Sequence, residues 1–292
     1  MGYAARTVRI MTIDPAAAKD GTPERARGGG DVIARNCPAC GSAMARDLPQ
    51  YSRPPWRVVK CSGCRFVYQN AAPAYDRLKS EFAWEKTFAA ESRRRKEKSP
   101  IIQWLDQATR WRLHIFRADE AAQFRKFFPQ GNVLDIGCGE GRRAPEPFTP
   151  YGVEISEVLW ARAHERMSAR GGRAVHAPAV AGVAQFPERF FSGVIMRSFL
   201  EHEAEPRRLL AACRRVLRDD GVVYVKVPNF SSLNRRIMGG GWCGFRYPDH
   251  VNYFTLSSLK SMCEGEGFAF RLLNVLNFPL DDNIHALLRK AA

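Results

Sequence analysis

The sequence predicts an α/β protein in which a doubly wound, mostly parallel sheet follows a small cysteine-bound ribbon and a helical connector. Three observations carry that expectation. From residue 131 onward, short apolar runs alternate with amphipathic stretches, the pattern of a parallel sheet covered by helices on both faces. The first apolar run ends in a glycine-rich turn, "LDIGCGEG" (134–141). Ahead of it stand two CxxC pairs, "CPAC" (37–40) and "CSGC" (61–64).

The chain of 292 residues is long enough for one sizeable domain plus a small appendage. Residues 1–31 are rich in Ala, Gly and charge and end in "RGGGD", which predicts a disordered tail. No apolar run reaches the ~18–20 residues of a membrane span, and no compact apolar block near the start marks a secretory signal. Arg6 stands where a myristoylation signal needs Ser or Thr. A cytoplasmic protein is expected.

Residues 32–74 form the ribbon. Cys37, Cys40, Cys61 and Cys64 occur as two pairs separated by 20 residues, and each CxxC knuckle can aim both sulfurs at one centre, which suits a structural, tetrahedral Zn2+. A redox role would call for a βαβ surround that is absent from this sequence. "WRVVKC" and "RFVYQN" read as the ribbon strands. A unit this small has little core, so zinc would supply much of its folding energy. The other four cysteines follow no pattern, which speaks against a disulfide framework.

Residues 75–130 read as a helical connector. Ser99-Pro100 is a helix start, and Ile101, Trp104, Leu105, Ala108, Trp111 and Ile115 fall on one face. Beyond it the candidate strands are "VLDIG" (133–137), "YGVEI" (151–155), "RAVHA" (173–177), "GVIMRS" (193–198), "GVVYVKV" (221–227) and "FAFRLLNVL" (268–276). Pro206 opens a helix with Leu209, Leu210, Cys213, Val216 and Leu217 on one side. The chain leaves scant room for a seventh strand. Pro145, Pro147 and Pro150 predict a stunted first crossover helix, because proline inside a helix removes a hydrogen bond and clashes.

Ligands of such sheets bind beyond the carboxyl ends of the strands. A phosphate P-loop needs GxxxxGK[ST], which is absent. A dinucleotide site wants GxGxxG with an acid about 20 residues on; here the pattern is GxGxG and Glu154 follows Gly141 by 13 residues. Gly137-x-Gly139-x-Gly141, preceded by Asp135, instead resembles the first motif of class I S-adenosylmethionine-dependent methyltransferases, and Glu154 matches the acid after their second strand. "MRSFLEHEAEPRRLLAACRRVLRDDGVVYVKVPN" (196–229) resembles the fourth strand, helix and fifth strand of that superfamily, and "GWCGFRYPDHVNYFTLSSLKSMCEGEGF" (241–268) the segment that follows in methyltransferases of the Methyltransf_23 type. Members of that group often carry a CxxC…CxxC ribbon in front.

The resemblance implies a Rossmann-like methyltransferase domain over 131–292; within it the Gly- and aromatic-rich stretch 230–255 reads as a substrate lid. It implies a cofactor site of Asp135, Gly137, Cys138, Gly139, Gly141, Glu154, Ile155, Ala177 and Ser198. The glycine turn would admit the methionine part of the cofactor, and Glu154 would accept hydrogen bonds from the ribose. "HAPAVAGVAQF" lacks the acid that often binds adenine, so that ring would rest on apolar contacts around Ala177 and Val180.

Methyl transfer from a sulfonium needs alignment, and an oxygen or nitrogen acceptor also calls for a base. His250, in "YPDHVNYF", and His202, in "LEH", are the candidates, with Tyr253 and Asp249 in reserve. Nucleic-acid amino methyltransferases show [DNS]PP[FYW] after the fourth strand; this chain has Arg197-Ser198-Phe199-Leu200. The expected acceptor is therefore a hydroxyl of a small molecule, a glycan or a lipid-linked compound. The net charge of +15 favours anionic partners, or else reflects solvated basic helix faces such as "ESRRRKEKSP". An RNA methyltransferase that grips nucleic acid through ribbon and charge, and a catalytically degenerate scaffold, are the alternatives.

Overall fold

The computed structural model describes residues 32–73, 119–278 and 280–291. The expected disordered tail and most of the connector lie outside the described residues. The connector's end is seen as α1 (Glu120–Phe127), capped by Asp119, whose carboxylate accepts from the amide of Ala121.

The main sheet has seven strands: β6 (Asn132–Ile136), β7 (Thr149–Glu154), β8 (Arg173–His176), β9 (Phe191–Arg197), β10 (Leu217–Pro228), β12 (Phe268–Leu272) and β13 (Asn283–Lys290). Their order across the sheet is β12-β13-β10-β9-β6-β7-β8. β6 through β10 run parallel, while β13 runs antiparallel to both of its neighbours. The central strands are apolar along their length because helices shield both faces; Val194, Ile195, Met196, Val223 and Val225 are fully buried.

Six strands were expected, with little room for a seventh. The structure corrects this. The last described residues form β13, which inserts between β10 and β12, paired from Val223↔Leu288 to Pro228↔Asn283. "NIHALLRK" is short and contains His285, so its apolar signal is weak, yet Ile284, Ala286 and Leu288 are completely buried.

The crossovers are α2 (Glu157–Ser168), α3 (Ala179–Ala184) and α4 (Pro206–Val216). Between β6 and β7 only turns occur, as the three prolines require. After β10 come α5 (Leu233–Met238), the two-residue β11 (Asn252–Tyr253) and α6 (Leu256–Gly265). A capping box of Thr255 and Ser258 starts α6.

The ribbon is built from β1 (Val32–Ala34), β2 (Ala45–Asp47), β3 (Val58–Cys61), β4 (Val67–Gln69) and β5 (Ala71–Pro73). β1 pairs with β5, and β2, β3 and β4 form a sheet whose fourth strand is β11, in the order β11-β4-β3-β2. The 230–255 stretch, expected as a lid, is packed down on this ribbon. Phe230, Trp242, Phe245 and Tyr253 are buried together with Val58 and Val67. No helix among the described residues is long and apolar enough to cross a membrane.

Candidate active site

The glycine turn leaves the carboxyl end of β6 in left-handed backbone, with φ of 65° at Gly137, 56° at Gly139 and 75° at Gly141. Such angles strain any residue with a Cβ. Space divides the three. A Cβ on Gly137 would lie 2.4 Å from the Phe199 ring, whereas one on Gly139 would meet nothing within 4 Å. Open room at Gly139, beside an acid, is what a cofactor brought close to the backbone requires.

That acid is Glu154, at the end of β7. One of its oxygens accepts from the amide of Gly139 (2.8 Å), and the other from the amides of Ile155 and Ser156 (2.9 Å each). The carboxylate is 8% exposed and fixed to the glycine turn. A ribose-bearing group therefore fits: an oriented acceptor stands next to an unobstructed backbone. The amide of Ala177 donates to the carbonyl of Glu154 (3.2 Å), which brings the end of β8 alongside. Ser198, one residue beyond β9, has φ of 52° and is exposed. The Cys138 thiol does not face this space; it packs with Ala163, Met167 and Ala174 under α2.

Asp135 has a partner that sequence reasoning missed. The Arg143 guanidinium reaches both of its oxygens (3.0 and 3.2 Å) and also the carbonyl of Gly137 (2.8 Å). Asp135 is fully buried, and burial pushes its carboxyl up, to about 6, against the opposing pull of Arg143. The pair braces the glycine turn from beneath. Arg143→Gln is expected to cost about 3 kcal/mol of stability in urea denaturation, since it strands a buried carboxyl.

A second group joins the segment that Phe199 begins to the loop of His250. One ligand atom each from Glu201, His202 and His250 falls within 4.8 Å of the others. The two imidazole rings meet edge to face, with centroids 4.6 Å apart. His202 Nδ1 lies 3.0 Å from the carbonyl of Asp249, and His250 Nδ1 lies 2.8 Å from that of Gly244. A carbonyl only accepts, so Nδ1 carries the proton in both rings and Nε2 is the lone-pair nitrogen. Burial, with Arg246 nearby, holds His202 neutral, its pKa down to about 3. Glu201 is 1% exposed, neither of its carboxylate oxygens has a hydrogen-bond partner, and burial pushes the acid up to about 8. Pro206 opens α4 as expected, four residues past His202. Glu201 and His202 sit in the turn before α4, held because the amides of Val251 and Asn252 donate to the Glu201 carbonyl (2.8 and 3.0 Å).

The profile of a methyltransferase-domain family, Methyltransf_23, matches residues 109–273, more than half of the chain. The chain belongs to this methyltransferase family. With the glycine turn, the acid after β7 and the antiparallel seventh strand, it is a class I methyltransferase. Among solved structures, it is similar to an S-adenosylmethionine-dependent methyltransferase from Archaeoglobus fulgidus (20% identity, 58% of this chain and 92% of the other, TM-score 0.46). It is likewise similar to one from Thermotoga maritima (20% identity, 64% and 97%, TM-score 0.46). A third similar structure is a TehB-like methyltransferase from Corynebacterium glutamicum (17% identity, 63% and 96%, TM-score 0.44). No curated protein matches the chain.

In this methyltransferase the four ribbon cysteines converge as the spacing required. Cys37 and Cys64 Sγ lie 3.5 Å apart, as do those of Cys40 and Cys61, and all four fall within 4.8 Å. Tetrahedral zinc with bonds of about 2.3 Å needs sulfurs about 3.8 Å apart, so the residues fit. Each knuckle closes alike: the amide of Gly41 donates to Cys37 O and that of Arg65 to Cys61 O, with both residues at positive φ.

The ribbon of the methyltransferase also grips the loop that carries His250. β11 pairs with β4 (Asn252↔Tyr68, Tyr253↔Val67). Gln69 donates through its amide to Val251 O (2.9 Å) and through its side chain to His250 O. Arg35 reaches Val251 O (3.1 Å), Ala204 O (2.9 Å) and Asn252 Oδ1 (2.8 Å). Neither Gln69 nor Arg35 belongs to a motif, and only the fold brings them here. Tyr253 is 3% exposed and faces the ribbon, its hydroxyl near Gln69 Nε2 (3.3 Å).

Proposed function

We propose that the chain transfers the methyl group of S-adenosylmethionine to a hydroxyl oxygen of a small-molecule, sugar or lipid-linked acceptor. The observation that carries this reading is the continuity of residues 198–203. Phe199 lies over Gly137 of the glycine turn, while Glu201 and His202, two and three residues on, meet His250. On this reading a cofactor end and an acceptor end share one short segment. When bound, S-adenosylmethionine supplies an electrophilic methyl group on a sulfonium.

The chain's part is to hold and orient. The open backbone at Gly139 gives the cofactor its approach, with Gly137, Cys138 and Gly141 shaping the turn around it, and Glu154 takes the ribose hydroxyls. Ile155, Ala177 and Ser198 border the same space, and Asp135 acts through Arg143 on the shape of the turn. Fixing two reactants in line is worth up to ~7–11 kcal/mol in favourable cases. At the acceptor end, the hydroxyl proton moves toward an imidazole Nε2 of His250 or His202. Glu201 joins them in place of Tyr253, whose hydroxyl lies on the ribbon side. The four ribbon cysteines hold structural zinc. The chain lacks the amino-methyltransferase tetrapeptide after β9, which favours a hydroxyl over a nucleobase amine.

The test is transfer of labelled methyl from S-adenosylmethionine to a panel of sugar nucleotides, lipid-linked glycans, small hydroxylated compounds and RNA. Label in a hydroxyl-bearing compound, reduced at least ~100-fold by His250→Ala, is the expected result, a loss of the size that removing a positioned base produces. Label in RNA alone would instead mark an RNA methyltransferase. No label anywhere, with S-adenosylhomocysteine still bound, would mark a scaffold.

A further inference from the structure

We propose that Glu201, His202 and His250 bind a divalent transition-metal ion of the zinc class, at a second metal site apart from the four ribbon cysteines. The first support is Glu201. Its carboxylate is almost wholly buried and neither oxygen has a hydrogen-bond partner. A buried polar group in that state is costly and rare in folded proteins. A cation among the three residues removes the anomaly.

The second support is the setting of the two histidines. In each ring Nδ1 is committed to a backbone carbonyl, Asp249 O for His202 and Gly244 O for His250. Metal-binding histidines are held in this way, because the outer hydrogen bond fixes the tautomer and turns the other nitrogen to the ion. Those two carbonyls belong to one loop, 244–250, which the ribbon holds through Gln69 and β11. The site is therefore built, with its outer contacts in place.

The chemistry of the set selects the ion. Two imidazole nitrogens and one carboxylate oxygen suit zinc, cobalt, nickel or ferrous iron, whereas magnesium and calcium prefer all-oxygen surroundings. In a tetrahedral site with bonds of about 2.0–2.2 Å, ligand atoms lie roughly 3.3–3.6 Å apart, so the three side chains need close by only about an ångström. The charges facing the site are Glu201, Asp249 and Arg246, the last two paired at 3.1 Å, and Lys226, which is paired with Glu120. Glu201 is thus the acid of this set that is not held in an ion pair. Three protein ligands leave a fourth position open for water. With the ion bound both Nε2 lone pairs are taken, so an acceptor hydroxyl at this position would lose its proton to solvent under the ion's charge rather than to an imidazole; that step rests on the function proposed above, and metal binding itself does not.

The experiment is metal counting and cobalt substitution on the full chain. Expressed without an affinity tag and purified without chelator, the protein should contain two metal ions per chain. Cobalt should give one set of intense thiolate charge-transfer bands and a second, weaker visible spectrum without thiolate character. Glu201→Gln, which keeps the shape of the side chain, and His250→Ala should each leave one metal, with the thiolate bands intact. Should His250→Ala not fold, the Glu201→Gln count decides alone. A wild-type count of one, all of it thiolate-bound, would overturn the site, as would a second metal kept undiminished by Glu201→Gln. Two metals with no methyl transfer would overturn the hydroxyl-methylation reading and leave this site standing; methyl transfer with one metal would do the reverse.

Discussion

Opening the ribbon's metal site by Cys61→Ser is expected to reduce methyl transfer at least ~100-fold while changing S-adenosylhomocysteine affinity no more than ~3-fold, because structural zinc contributes on the order of 10–16 kcal/mol to the folding of such small units. The asymmetry follows from where the contacts lie. Gly139 and Glu154 stand on the main sheet and are joined to each other directly. His250 depends on the ribbon: Gln69, five residues beyond Cys64, holds its carbonyl, and β4 pairs with the two residues that begin just past Val251. With the knuckles open, β4 loses its anchor and the 244–253 loop loses its hold. Calorimetric titration with S-adenosylhomocysteine, run beside the methyl-transfer assay, reads the two effects apart. Equal loss of both would mean that the ribbon supports the whole domain.

Glu154→Ala is expected to weaken S-adenosylhomocysteine at least ~100-fold, given about 1.5–3 kcal/mol for each hydrogen bond to a charged acceptor. The same change removes the acceptor of three backbone amides, those of Gly139, Ile155 and Ser156. The glycine turn would then lose its tie to β7 along with the proposed ribose contact. Glu154→Gln keeps an acceptor for some of those amides, so it should bind more tightly than the alanine variant. Calorimetry on folded protein checks both. Undiminished affinity in Glu154→Ala would remove this residue from the cofactor site.

Much of this arrangement could be read from the chain because it depends on local chemistry. The glycine turn announces itself, since only glycine tolerates three left-handed positions so close together, and the cysteine knuckles do so through their spacing. The prolines at 145, 147 and 150 marked the missing crossover helix. What escaped the sequence depends on contacts between residues far apart. Arg143 looks like any surface arginine until the turn folds back and sets it on Asp135. Arg35 and Gln69 carry no motif, and their partners lie more than a hundred residues away. The final strand was missed because its apolar alternation is short and interrupted by His285, and pairing with both β10 and β12 outweighs that weak local signal. The 230–255 stretch read as a lid from its glycines and aromatics, but the ribbon offers those rings a core to fill.

The sharing of one sheet by the ribbon and the 252–253 segment sets a timetable for the nascent chain. β4 leaves the ribosome early, yet its partner strand comes far later: Gln69 and Tyr253, which touch in the finished protein, are 184 residues apart. At about 5–20 residues per second, that interval is roughly 10–40 s of synthesis. Through that time the edge of β4 stands open, and an open edge is a template for pairing with another chain. Early metal capture by the cysteines would keep the ribbon compact during the wait. The yield of finished protein is then expected to follow metal supply during translation more closely than metal added afterwards.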